Sequence, residues 1–368
     1  MVIQARPDPH GQGTKGLGVA AAAGGAFAGF YCLYSAAPAA FAAVQPSAGV
    51  RVAGLMVVVI LAQVLVLIPL RHTRSRGRIV QAGLLGMAAG PLMTAAGADW
   101  AGLALLGIGF GVFVVTSTAW ARELASSGRM GSALGAYGFG SAIGGAVGSP
   151  AGAWLVAHTG SVGAFGGATG FVLAGAAALV VARRRGGSAQ AVTAMERPFE
   201  ARSVTDAALE PRRPAGASPT ASRRPRIGLA AVLAAHLLAV TAYAAVLSSA
   251  GSLAGSGPVV AAFLTQAAVA LGRVAGGRLS DRLPPARVIT AGLALVAPAG
   301  AGFLTATAPV VLIATMAVVG AVAGAVQTAA LTGLMRGAGG PAGTVRAGAA
   351  WNITFDLGLG VGALLAVH

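Results

Sequence analysis

The most constraining feature of this sequence is a succession of apolar runs, each long enough to cross a lipid bilayer and nearly empty of charge. A spanning helix needs about 20 apolar residues. Runs of that kind fall near 17–41, 52–70, 79–97, 100–121, 131–157, 161–182, 228–250, 257–277, 287–306, 309–333 and 347–367. They are continuous rather than alternating, which predicts helices and not the strands of a barrel. Charged residues make up 9% of the chain, against roughly 25% in soluble proteins, a shortfall that no water-facing surface tolerates. The 57 glycines suit the same reading, because small residues let helices approach closely in lipid.

The first run, 17–41, is too long for the core of a signal peptide, although Ala36-Ala37-Pro38-Ala39-Ala40 faintly resembles a cleavage site. It is read as a first transmembrane helix behind a polar tail, residues 1–16. Cys32 is the single cysteine, so no internal disulfide is expected. No Cys/His cluster has metal-ligand spacing, and no phosphate loop or nucleophile elbow appears. The expectation is therefore no cofactor, no metal and no enzyme.

The net charge of +16 would suggest nucleic acid in a soluble protein. Here the arginines are spread along one face of the membrane rather than gathered in a folded basic domain, and no nucleic-acid partner is expected. With the N-terminus inside, Arg51 is the one basic residue on the outer side. Arg6 and Lys15, Arg71 to Arg78, Arg122 and Arg129, Arg273 to Arg287, and Arg336 and Arg346 all fall inside. The positive-inside bias places the N-terminus in the cytoplasm.

Residues 183–226 break the apolar pattern with many Arg and Pro and too little apolar area to fold. They are read as a cytoplasmic linker between an N-terminal six-helix bundle, 17–182, and a C-terminal bundle of five helices, 227–368. Six plus five predicts a twelve-span plan whose twelfth span is missing from this sequence. The two sides match. Leu70-Arg71-His72-Thr73 and Gly77 to Leu84 align with Leu279-Ser280-Asp281-Arg282 and Ala286 to Leu293. Gly107 and Gly111 match Gly320 and Gly324, and Arg122 matches Arg336. Paired six-helix repeats place a transporter's substrate site near the bilayer midplane.

Gly272-Arg273-Val274-Ala275-Gly276-Gly277-Arg278-Leu279-Ser280-Asp281-Arg282, followed by Arg287, resembles the loop signature of the major facilitator superfamily, roughly G-x-L-x-D-R-x-G-R. The resemblance implies an all-α membrane protein of two pseudo-repeated helical bundles. It also implies a gating contact in which Asp281 faces the start of the fifth span, near Gly128 to Ser132, while the arginines hold the inner surface. The first-half copy has His72 where Asp is expected. The fifth span, with Gly144, Gly148, Pro150 and Gly152, is similar to the Gly/Pro motif of exporters in that superfamily, and plain GxxxG packing is the other reading. Trp351 to Gly360 resembles the eleventh span of its drug and sugar efflux members.

An ionisable group inside a span is a functional candidate. Asp356 is the acid nearest the middle of a span, with Asn352 one turn before it. A carboxyl that alternates between wet and dry surroundings binds and releases a proton, which makes Asp356 the candidate for coupling or substrate contact. Tyr31 and Tyr34 in span one, His236 and Tyr243 in span seven, and Gln327 in span ten lie on helices that line the cavity in the superfamily. Gln63 and Gln266 occupy spans two and eight.

The expected function is proton-coupled efflux of a small organic molecule by a monomer in the plasma membrane. Sparse cavity charge points to a neutral, amphiphilic or weakly cationic substrate. Nutrient uptake by the same fold stays open, as does a shortened relative that transports nothing.

Overall fold

The computed structural model describes residues 9–41, 48–67, 75–126, 128–195, 228–248 and 257–365. Every regular element among them is a helix. The helices are α1 Pro9–Ala40, α2 Ala48–Leu65, α3 Arg76–Ala95 and α4 Asp99–Glu123, followed by the run Met130–Met195. That run breaks at Gly160, whose φ of 74° is open to glycine without strain, so it is two helices, α5 (130–159) and α6 (161–195). Then come α7 Leu229–Ser248, α8 Gly257–Arg282, α9 Pro285–Thr305, α10 Pro309–Gly337 and α11 Gly340–Leu365.

Seven helical runs among the described residues are long and apolar enough to cross a membrane, and the 56-residue stretch Met130–Arg185 holds two such crossings. Of the other three helices, α2 carries a shorter apolar stretch, Val50–Leu65, while α3 begins with Arg76 and α11 carries Asp356 within it. Helices outrun the apolar segments at several ends. The first starts at Pro9 rather than 17, α6 runs past 182 to Met195, and α11 starts at Gly340 rather than 347. Hydropathy marks the part of a helix inside hydrocarbon, not the point where its hydrogen bonding stops. Residues 183–195, read as the start of the linker, are thus helical. The rest of that segment, 196–226, and His72 of the first-half motif lie outside the described residues.

Packing follows the small residues. Gly140, Gly144, Gly148 and Gly152, one every turn of α5, lie against the carbonyls of Ala20, Gly24, Ala28 and Cys32 of α1, so close that an added methyl would strike them. The spacing of four on both helices makes one flat strip, the close backbone approach that stabilises helix pairs in lipid. The internal repeat appears in the same currency. Gly107 and Gly111 of α4 pack on Leu55 and Val59 of α2, while Gly320 and Gly324 of α10 pack on Thr265 and Val269 of α8. Equivalent glycines in the two halves meet equivalent partners.

Near Arg122, Arg129, Arg282 and Arg336, at the arginine-rich end, the two halves touch directly. Gly131 of α5 and Gly277 of α8 meet backbone to backbone, and Gly135 packs on the carbonyl of Arg273.

Candidate functional site

Between the halves lies a cavity of about 510 Å³, walled by α1, α2, α4 and α5 on one side and by α7, α8 and α11 on the other. The lining is largely aromatic, with Phe27, Phe30, Phe110, Trp351 and Phe355. All 4 tyrosines of the chain, Tyr31, Tyr34, Tyr137 and Tyr243, also line it. Phe30 stacks on Phe110 with centroids 4.0 Å apart, and Phe27 meets the same ring edge-on. Tyr243 donates to Gln266 Oε1 at 2.5 Å, bridging α7 and α8. The Tyr137 hydroxyl lies 2.9 Å from Ser117 Oγ, tying α5 to α4.

Among the described residues, one acid and one base reach this space from different helices. Asp356 of α11 accepts from Gln63 Nε2 of α2 at 3.2 Å, a bond across the two halves. Asn352 lines the cavity one turn away, but its amide donates to its own helix, to Gly348 O at 2.9 Å. The partner of the acid is thus a residue from the other half, not its neighbour on α11.

Arg273 of α8 is the second group, and its place differs from the sequence expectation that the signature's arginines hold the inner surface. It is buried and lines the cavity. Its Nε and Nη2 donate to Gln327 Oε1 at 3.0 and 2.7 Å, and its Nη1 donates to Gly138 O at 2.8 Å and to Ser141 Oγ. The guanidinium carbon lies 5.8 Å from the centre of the Phe355 ring. Every one of these partners is neutral, and among the described residues no carboxylate lies within ion-pair distance of it. Buried cations are ordinarily paired, and this one is held by neutral hydrogen-bond acceptors alone among the described residues.

Gln327 stands behind Arg273 rather than in the lining, with its Oε1 on the guanidinium, its backbone carbonyl taking Trp351 Nε1 at 3.0 Å and its Nε2 buried without a partner. His236 is also set back. It is fully buried, stacks on Trp351 at 5.0 Å and approaches Trp351 O at 3.3 Å, and its Nδ1 has no partner. Its contribution is to hold the tryptophan that faces the cavity.

Asp281 sits at the N-terminus of α5, the place the resemblance implies. Its Oδ1 accepts from Gly131 N at 2.7 Å, and its Oδ2 accepts from Ser132 N at 2.8 Å and Ser132 Oγ at 2.6 Å. A carboxylate there satisfies free N–H groups and meets the positive end of the helix dipole. Arg336 lies 3.6 Å from Asp281 Oδ1 and donates to Ser280 O at 2.8 Å. The equivalent first-half residue, Arg122, instead reaches Thr344 Oγ1 and Ala338 O beside the start of α11. Gly272 and Gly276 pack on Ala321 and Ala325 of α10, and Arg282 and Arg287 are exposed. Pro150 is exposed on α5, whereas Gly144, Gly148 and Gly152 serve the α1 strip.

Of the residues singled out from sequence, the structure gathers Tyr31, Tyr34, Tyr243, Asn352 and Asp356 around one cavity, adds Arg273 to them, and leaves His236 and Gln327 as supports. Tyr137, Ser141 and the phenylalanines were not anticipated. The signal available for Tyr137 was the rarity of tyrosine in an alanine- and glycine-rich chain.

The comparisons with known proteins agree with this architecture. The family model of the Major Facilitator Superfamily matches residues 19–363. Among solved structures, the transporter FucP in its outward conformation is similar over 94% of this chain and 89% of its own, with a TM-score of 0.59 and 13% identity. The human organic anion transporter MFSD10 is similar over 98% of this chain and 93% of its own, with a TM-score of 0.63 and 18% identity. The proton:xylose symporter XylE, bound to 6-bromo-6-deoxy-D-glucose, is similar over 94% and 87%, with a TM-score of 0.61 and 14% identity. No curated protein matches the sequence. A match over nearly the whole length, on a bundle with its cavity between two repeated halves, means that this chain belongs to the Major Facilitator Superfamily.

Proposed function

We propose that this chain is a secondary active transporter of the plasma membrane that exports a small organic molecule in exchange for protons. The observation that carries the reading is the cavity between the halves, with one acid among its described lining residues, Asp356, bonded across them to Gln63. Transport by alternating access needs a midplane site whose walls belong to two bodies that rock against each other. The cross-half bonds at the arginine-rich end, from Asp281 to α5 and from Arg122 to α11, describe a state closed at that end. Arginine placement along the sequence argues that this is the cytoplasmic end, with the N-terminus inside. Asp356 serves as the proton carrier, because its contact with Gln63 is made or lost as the halves move. Two structural neighbours are named as proton symporters, of fucose and of xylose, which agrees with proton coupling and leaves direction to be measured. The export direction rests on the glycine and proline pattern of α5.

The test is flux in sealed proteoliposomes with a panel of small organic compounds, with and without a pH gradient. The expected result is movement of at least one compound that accelerates when protons can run the other way. Asp356→Asn should abolish that acceleration. Flux that ignores the gradient in the wild-type chain, or an unchanged gradient effect in Asp356→Asn, contradicts the proton-coupled reading.

A further inference from the structure

We propose that the substrate is an organic monoanion whose carboxylate is bound by Arg273. This deepens the transport reading above and rests on it for the site, though not for the chemistry of binding.

The argument begins with the inventory of Arg273. A guanidinium carries five N–H donors in a planar fork and keeps its charge. Four hydrogen bonds leave it, all to neutral acceptors: Gln327 Oε1 twice, Gly138 O and Ser141 Oγ. One N–H on Nη2 remains, together with the whole positive charge. These bonds fix the orientation of the fork, and the ring of Phe355 lies beside it. An oriented guanidinium at the wall of a cavity, with one N–H to spare and no counter-ion among the described residues, suits a single charge-assisted hydrogen bond to an oxyanion. Among the described residues the group of opposite sign lining the cavity is Asp356, and it is held by Gln63 instead.

The rest of the lining defines the remainder of the molecule. Tyr31 supplies a neutral donor in the same cavity. Phe27, Phe30, Phe110 and Trp351 offer an apolar, aromatic bed for the body of the substrate. Asp356 on the α11 wall repels a second negative charge, so a dianion is disfavoured. The substrate class is a hydrophobic or aromatic monocarboxylate. This differs from the neutral, amphiphilic or weakly cationic substrate expected from sequence, which followed from counting Arg273 with the membrane-surface arginines.

The experiment uses the full chain in lipid nanodiscs and measures apparent affinity by tryptophan fluorescence. The probes are benzoate, phenylacetate and phenylbutyrate, each paired with its neutral amide of nearly the same shape. The expected result is that at least one acid binds tenfold or more tightly than its amide, and that Arg273→Gln reduces the preference to less than twofold. Thermal unfolding of the variant checks that it is folded, and the wild-type comparison of acid with amide stands without it. Equal binding of acid and amide, preference for the amide, or no binding by any acid overturns the proposal. An acid preference without flux in vesicles would contradict the transport reading alone. Flux of neutral compounds without an acid preference would contradict this inference alone.

Discussion

Two donors of Arg273, Nε and Nη2, converge on one atom of Gln327, its Oε1, at 3.0 and 2.7 Å. The amide oxygen orients the guanidinium without cancelling its charge. Gln327→Glu keeps the shape and adds the missing negative charge. The expected outcome is a protein whose melting temperature in detergent rises by a few degrees, because a buried cation gains a counter-ion. Its affinity for carboxylate probes should fall at least tenfold, because the cavity no longer offers an unpaired cation. A variant that binds these probes as tightly as the wild type contradicts this view of Arg273.

Asp281 accepts three hydrogen bonds from the first residues of α5, and Arg336 lies against it. Removing a cap of this kind costs about 0.5–2 kcal/mol. Since the capped helix and the capping acid belong to different halves, Asp281→Ala should loosen the arginine-rich end rather than unfold the chain. A cysteine at Ser280, buried in this structure, placed in a Cys32→Ala background, should react severalfold faster with a hydrophilic maleimide once Asp281 is replaced.

The glycine strip between α1 and α5 tolerates no side chain. Gly144→Leu drives a side chain into the carbonyl of Gly24, and overpacking of this kind costs about 1–3 kcal/mol or more. The expected outcome is a lower melting temperature and poor recovery from membranes. Gly166→Leu is the matching control, since a methyl there meets nothing within 4 Å, and its melting temperature should stay unchanged.

Arg51, the one basic residue assigned to the outer side, is bonded to Asp99 at 2.8 Å and lies 4.9 Å from the ring of Phe41 and 5.4 Å from that of Trp100. Asp99→Asn strips the charge from a pair in which the arginine is buried, and the expected loss is about 2 kcal/mol, below the 3–5 kcal/mol of a wholly buried pair because Asp99 is partly exposed. Thermal unfolding at matched lipid content reads it. The exchange Arg51→Asp with Asp99→Arg should recover part of the loss.

The bundle was legible in the sequence because lipid imposes a strong rule: each crossing needs an uninterrupted apolar run. The contact of Asp281 with α5 was legible through its motif. The burial of Arg273 at the cavity was not, because positive-inside reasoning treats each arginine near a span end as a surface group. Its depth was nonetheless implied. Arg273 precedes Asp281 by eight residues of helix, about 12 Å at 1.5 Å per residue, which places it well inside the bilayer when Asp281 is at the surface. The pairing of Asp356 with Gln63 was out of reach, since it joins α11 to α2 across 293 residues and depends on how the halves meet. His236 was misleading for a related reason. The resemblance places span seven beside the cavity, but His236 stacks on Trp351, and it is Trp351 that lines the cavity.

Transport by alternating access requires the halves to rock about the cavity, closing one end as the other opens. Distances between spin labels measure this directly, in a Cys32→Ala background. One pair, Gly128→Cys with Leu283→Cys, spans the arginine-rich end, and the other, Ala98→Cys with Thr307→Cys, spans the opposite end. The chain is then compared at pH 5 and pH 8 in nanodiscs, with and without Asp356→Asn. The expected result is that the two distance distributions shift in opposite senses with pH, and that Asp356→Asn holds them in one position. Distributions that stay fixed at both ends, or that widen and narrow together, would contradict it.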